Sequence, residues 1–201
     1  MRTETEGRPS EARSRLLDTA TRLFYAEGIH SVGIDRIVGE AQVTRATLYR
    51  HFPGKEELVL AYLSGVDRAI RTPAEEAAAG LPPAEAILAI SRSIAQGIQS
   101  EGFRGCAFLN AAAEYPDPES PVRKAVIAHR QWFLDTVTGL LAQIREDGAE
   151  PAGRHFVMMR DGAMAAGCLF DPELISDTFL HGVERLLEVY TTSGGTTSAG
   201  A

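Results

Sequence analysis

The 201-residue chain is predicted to be all-α, with about nine helices. Three observations carry that prediction. Apolar residues recur at three- and four-residue spacing through most of the chain. No stretch shows sustained strand alternation. Glycine and proline clusters cut the sequence into pieces of helix length. The order of the pieces gives a three-helix N-terminal domain over 1–57, a helical domain over 58–190 and a tail over 191–201.

Residues 1–10 are polar, with Gly7 and Pro9, and read as an arm. Arg2, Arg8, Arg13 and Arg15 either follow a polyanion or belong to a solvated tail. The first helix is expected over about 10–27, with Leu16, Leu17, Ala20, Leu23 and Phe24 as its buried stripe and Gly28 as its stop. Two short helices follow, over about 31–39 and 44–51. Ile34, Ile37 and Val38 pattern the first, and Ala41, Thr44 and Leu48 continue the spacing. Thr44 is a suitable N-cap, because its hydroxyl accepts from the amides of the next turn. Phe52 is expected to plug the core of this domain.

Pro53-Gly54 breaks the chain and Lys55 opens a fourth helix, expected to end near Arg71. Thr72-Pro73 and the run Gly80-Leu81-Pro82-Pro83 are breakers. The alanine-rich piece between them is either a short helix or a loop. A fifth helix is expected over about 83–100, with Pro83 in its first turn. A short sixth covers about 104–114, before a loop with three prolines over 115–121. The seventh, about 122–146, buries Val126, Trp132, Phe133 and Leu140. A break over 148–153 precedes the eighth, about 154–169, and the ninth spans about 172–190. The low-complexity tail TTSGGTTSAGA is expected to be disordered.

The stretch from Ser31 to Lys55 organises the chain. Its second helix carries Arg45, Thr47, Tyr49, Arg50 and His51 on roughly one side, with Leu48 on the other. From Ala41 to Lys55 there is no acid. Such a stripe suits a phosphate backbone and base edges, with Arg45 and Arg50 long enough to reach guanine O6 and N7. On the residues alone it is equally a solvated helix face.

The run IDRIVGEAQVTRATLYRHFPGKEEL resembles the DNA-binding domain of the tetracycline-repressor (TetR) family, over about residues 13–63. The TLYRHFPGKEEL portion is its specific part. The resemblance implies a homodimeric DNA-binding regulator and a DNA-contacting set of Gly33, Thr44, Arg45, Ala46, Thr47, Tyr49, Arg50, His51 and Lys55. Within that set, Tyr49, His51 and Lys55 are implied to grip phosphates. Two positions depart from the family pattern. Gly33 stands where Ser or Thr usually caps the first helix of the motif, and Gln42 stands where Gly usually makes the turn. A Gln in a left-handed turn carries strain.

A net charge of −7 is unusual for a chain that meets DNA. Residues 1–57 hold nine basic and nine acidic residues, so the excess of acid lies entirely beyond them. An acidic body would favour approach by the basic face alone. No apolar run approaches the ~18 residues of a membrane span. The N-terminus lacks an apolar signal core. With two cysteines only, a reduced cytoplasmic setting is expected.

No catalytic constellation, cofactor motif or metal-ligand spacing stands out, and His129, His155 and His181 stand alone. Glu114 and Asp117, beside the proline-rich loop, read as surface. Cys106 and Cys168, among Ala, Phe and Leu, read as packing rather than as redox sensors. Phe103, Phe108, Trp132, Phe133, Met158 and Met159 line a small-molecule cavity or are plain core. Gly162, Ala163, Ala166 and Gly167 allow close helix approach, within the chain or between subunits. Ile175, Phe179, Val183 and Leu186 make the matching stripe on the ninth helix. The family dimerises through its last two long helices, so the resemblance favours the subunit contact.

Overall fold

A computed structural model describes residues 10–192; the expected arm and tail fall almost wholly outside them. The described residues form nine helices and no strand. The chain divides into two compact units. One runs to Val66 and includes Asn110–Val126; the other comprises Asp67–Leu109 and the residues from Ile127 onward.

In the first unit, α1 (Glu11–Glu27) starts at Ser10, whose hydroxyl accepts from the Arg13 amide at 3.2 Å. It stops at Gly28, whose φ of 90° a side chain would disfavour. α2 (Ile34–Glu40) and α3 (Arg45–His51) pack on α1 and on each other. Leu16, Leu23, Val32, Ile37 and Leu48 are completely buried, and Phe52 joins them. Truncating one of these leucines to Ala should cost about 2–5 kcal/mol.

α4 (Lys55–Gly80) runs through Pro73, past the expected end near Arg71. Pro73 has no N–H for the Ala69 carbonyl, a loss of one hydrogen bond. Ala74 is buried in the core, and the following EEAAA run consists of strong helix formers. Packing and propensity together outweigh the break.

In the second unit, α5 (Pro83–Ile98) opens with Pro83 in its first turn, and packs along α9 (Pro172–Thr192). α6 (Ala107–Glu114) begins later than expected, because Gly105 turns the chain at φ 84°. α7 (Pro121–Ile144) ends slightly early. α8 (Ala149–Ala166) begins five residues before the expected position. Pro151 sits in its first turn, where a missing N–H costs nothing. A Cβ on Gly153 would lie 2.2 Å from Thr138 Oγ1, so glycine there permits α7 and α8 to touch. Ile87, Val137, Leu141, Phe156 and Val183 form the centre of this core. Among the described residues no helix is long and apolar enough to cross a membrane.

Candidate nucleic-acid interface

The turn between α2 and α3 is short and carries three backbone hydrogen bonds. The Ala41 amide donates to Ile37 O at 2.9 Å, Gln42 to Gly39 O at 3.2 Å and Val43 to Val38 O at 3.1 Å. Gln42 has φ 53°, so it bears the left-handed strain expected from the sequence. Gly33 precedes α2 with no side-chain cap, and a Cβ there would meet no atom within 4 Å. Thr44 caps α3 by accepting from the Thr47 amide at 3.1 Å. Losing that hydroxyl should cost about 1 kcal/mol.

α3 is seated by Leu48, which is completely buried. Arg45, Ala46, Tyr49 and Arg50 are exposed, as are Thr44 and Gly33; Thr47, His51 and Lys55 are half-buried. Thr47 is drawn in by its neighbour, with the two threonine hydroxyls of Thr44 and Thr47 3.0 Å apart. Half the surface of Tyr49 is exposed.

The acid-free run does not leave Arg45 unopposed. Asp35, on α2, holds its guanidinium in a two-pronged ion pair. Arg50 makes no ion pair among the described residues. His51 Nε2 lies 3.0 Å from the Ser10 hydroxyl. Lys55 opens α4 with its Nζ 5.9 Å from the Phe24 ring centroid. Burial holds its ammonium below the usual lysine range, and nearby Glu114 opposes that shift.

The frame behind α3 is fixed by charge. Arg36 bridges Glu27 on α1 at 2.7 Å and Glu40 on α2 at 2.9 Å, and Arg22 also pairs with Glu40. Glu114, read from sequence as surface, instead accepts from the Ile29 amide at 2.8 Å and the His30 amide at 2.6 Å. One carboxylate thereby ties the end of α6 to the segment between α1 and α2. No periodicity signals such a contact between residues more than eighty positions apart.

The second unit distributes the sequence candidates differently from expectation. An apolar cavity of about 390 Å³ lies against α4, α5, α7 and α8. Of the six aromatic and methionine candidates only Phe133 lines it. Phe108 is buried against the His129 ring, with centroids 3.6 Å apart. Trp132 lies under the Arg71 guanidinium at 4.2 Å. Phe103 packs near Gly167, and Met158 is 71% exposed. Met159 faces a separate groove between α8 and α9 that includes Gly162, Ala163, Ala166, Ile175 and Phe179.

Two of the expected interface positions pack inside this chain. A Cβ on Gly167 would lie 2.6 Å from Ile98, and Val183 is completely buried, so both serve the chain's own core. Phe179 is also 96% covered within its own chain and Leu186 is packed against that core, leaving only part of the stripe for another subunit. Cys106 is buried, but Cys168 is exposed rather than packed. His129 does not stand alone: its Nδ1 is 2.6 Å from Asp67 Oδ1. Arg160 is buried at the cavity wall, a position that its apolar neighbours Met158, Met159 and Met164 could have flagged.

A capped, exposed helix set on a second short helix, in an all-α chain, defines a helix-turn-helix DNA-binding protein. Residues 16–62 match the model for bacterial regulatory proteins of the tetR family. The transcriptional regulator LmrA of Bacillus subtilis is 32% identical over 126 residues, covering 61% of this chain and 67% of LmrA. FasR, a transcriptional activator of Mycolicibacterium smegmatis, is 41% identical over 70 residues, 31% of this chain and 32% of FasR. A TetR-family transcriptional regulator from Streptomyces coelicolor superposes with a TM-score of 0.88 and 67% identity, covering 90% of this chain and 97% of that one. The chain belongs to the TetR family. It is a DNA-binding transcriptional regulator, and its relatives are regulators rather than enzymes.

Proposed function

We propose that the chain is a ligand-responsive repressor that acts as a homodimer on a pseudo-palindromic operator. The observation that carries this reading is the exposed face of α3, with Arg45, Tyr49 and Arg50 outward over a buried Leu48. Residues 1–57 would read DNA and residues 58–190 would dimerise and bind the effector. Gly33, Thr44, Ala46, Thr47, His51 and Lys55 complete the proposed contact set. Arg45 and Arg50 would address base edges, while Tyr49, His51 and Lys55 would hold phosphates.

One α3 reads only a few base pairs, so useful specificity requires two on a dyad. The α8–α9 groove, with Gly162 open and Ala163 and Ala166 along it, supports the dimer reading. The cavity supports the effector reading, since binding there would favour release only if the released state binds the effector better. The name of FasR favours a second reading, in which the same contacts activate transcription.

The test is a mobility shift on DNA upstream of the chain's own gene. Wild type should bind, and Arg50→Ala should weaken binding roughly ten- to hundredfold. Ala166→Arg should sediment as a monomer and fail to bind where wild type saturates, because it sets an unpaired charge in the contact. Equal binding by wild type and Arg50→Ala would reject the reading of α3. A dimeric Ala166→Arg would reject the placement of the interface.

A further inference from the structure

Arg160 is a charged residue placed against an apolar cavity, and its hydrogen bonding is incomplete. The residue is 5% exposed. It lines the same space as Ile70, Ala74, Ile90, Phe133 and Met164, and its guanidinium carbon lies 5.5 Å from the Phe133 ring centroid. Its Nη1 donates to Asp161 Oδ1 at 3.0 Å. Its Nε–H is buried and has no acceptor among the described residues. Buried donors are nearly always paired, and a charged one left unpaired is costly.

The neighbouring charges do not balance. Asp161 also takes both prongs of Arg130, at 3.0 Å to Oδ1 and by a second short contact to Oδ2. Two guanidiniums thus share one carboxylate. Nearby, Asp67 pairs with Arg71 and accepts from His129, so it contributes no spare anion. The cavity wall therefore carries an excess positive charge in otherwise apolar surroundings.

We infer that the cavity takes an apolar molecule bearing one anionic acceptor group, a carboxylate or a group of like charge and shape, which pairs with the Arg160 guanidinium. The apolar body lies against the isoleucines, Phe133 and Met164, and the anion accepts from the Arg160 guanidinium. A neutral amide isostere would fill the same volume and still accept a hydrogen bond, but it would leave the guanidinium charge uncompensated, so discrimination between the two is the signature of the arrangement. Cys106, also beside Arg160, is a weak acceptor and does not substitute for an anion.

This inference rests on the reading of the cavity as an effector site, and the experiment separates the two. Decanoate, cinnamate and naphthoate are each titrated calorimetrically into the intact chain beside the corresponding amide. At least one carboxylate should bind ten times or more tighter than its amide. Arg160→Met should erase that preference and Arg160→Lys should retain part of it. Circular dichroism checks that each variant folds, and Met164→Trp, which fills the cavity from its wall, should abolish binding of both members of a pair without touching Arg160. Carboxylate and amide binding equally, or a preference that survives in Arg160→Met, would overturn the anion while leaving an effector cavity. No binding by any member of the panel would overturn both.

Discussion

Asp35 grips the guanidinium of Arg45 in a two-pronged ion pair between the two helices of the DNA-reading motif. Both side chains are largely exposed, so water and salt weaken the pair. With Arg45 in its proposed role, Asp35 would be a modest competitor of DNA for it. Asp35→Ala should bind the operator more tightly, with little change on random DNA, because Arg45 no longer leaves a partner to reach a base edge. Arg45→Ala should weaken operator binding roughly ten- to hundredfold and random binding far less. Operator affinity unchanged in both Asp35→Ala and Arg45→Ala would remove Arg45 from the proposed set of DNA contacts.

Lys55 is tested by the opposite pattern. Its half-buried ammonium lies at the opening of α4, where backbone N–H groups also favour an anion. Lys55→Ala should weaken operator and random DNA alike and lower the salt slope by roughly one. A loss confined to the operator would make Lys55 a base reader.

Glu114 supplies the acceptor for two backbone amides after α1. Glu114→Ala should destabilise the first unit by about 1–3 kcal/mol, since both donors lose a charged partner. Glu114→Gln keeps one carbonyl oxygen and should lose less. Hydrogen exchange at Ile29 and His30 reads the effect directly; protection equal to wild type in Glu114→Ala would contradict it.

His129 gives the fold a pH dependence. Burial pushes its imidazole below the usual value near 6.5, and the hydrogen bond to Asp67 only partly opposes this. The unfolded chain therefore takes up a proton that the fold resists, and stability present above about pH 6.5 is lost as the pH falls. The contribution can reach about 1.4 kcal/mol per pH unit. For Asp67, burial opposes ionisation, but hydrogen bonds from His129 and Arg71 outweigh it and hold the carboxyl low, so its own loss comes only in stronger acid. Thermal melts between pH 7 and 5 should slope downward in wild type and flatten in His129→Gln. A wild-type Tm that rises on acidification would contradict the assignment.

Local signals made much of this fold legible. Thr44 caps α3, Gly28 stops α1, and the leucine and isoleucine spacing marks the buried faces. The exposed side of α3 followed from the same periodicity. What escaped depends on how elements meet. Pro73 reads as a breaker until Ala74 is seen to be buried. Gly167 reads as room for another subunit until Ile98 is seen to occupy that room. Asp35 opposes Arg45 only through the angle between α2 and α3. Trp132 and Phe108 attract attention as large aromatics, yet small alanines and isoleucines leave the space, and Arg160 marks its polar end.

The central claim is that two copies of α3 read an inverted repeat. Selection of bound duplexes from a random-sequence pool, followed by sequencing, tests it most directly. The wild type should enrich one inverted repeat, and Arg50→Ala should lose that enrichment. No enriched sequence, or one unrepeated site bound equally well by Arg50→Ala, would contradict it.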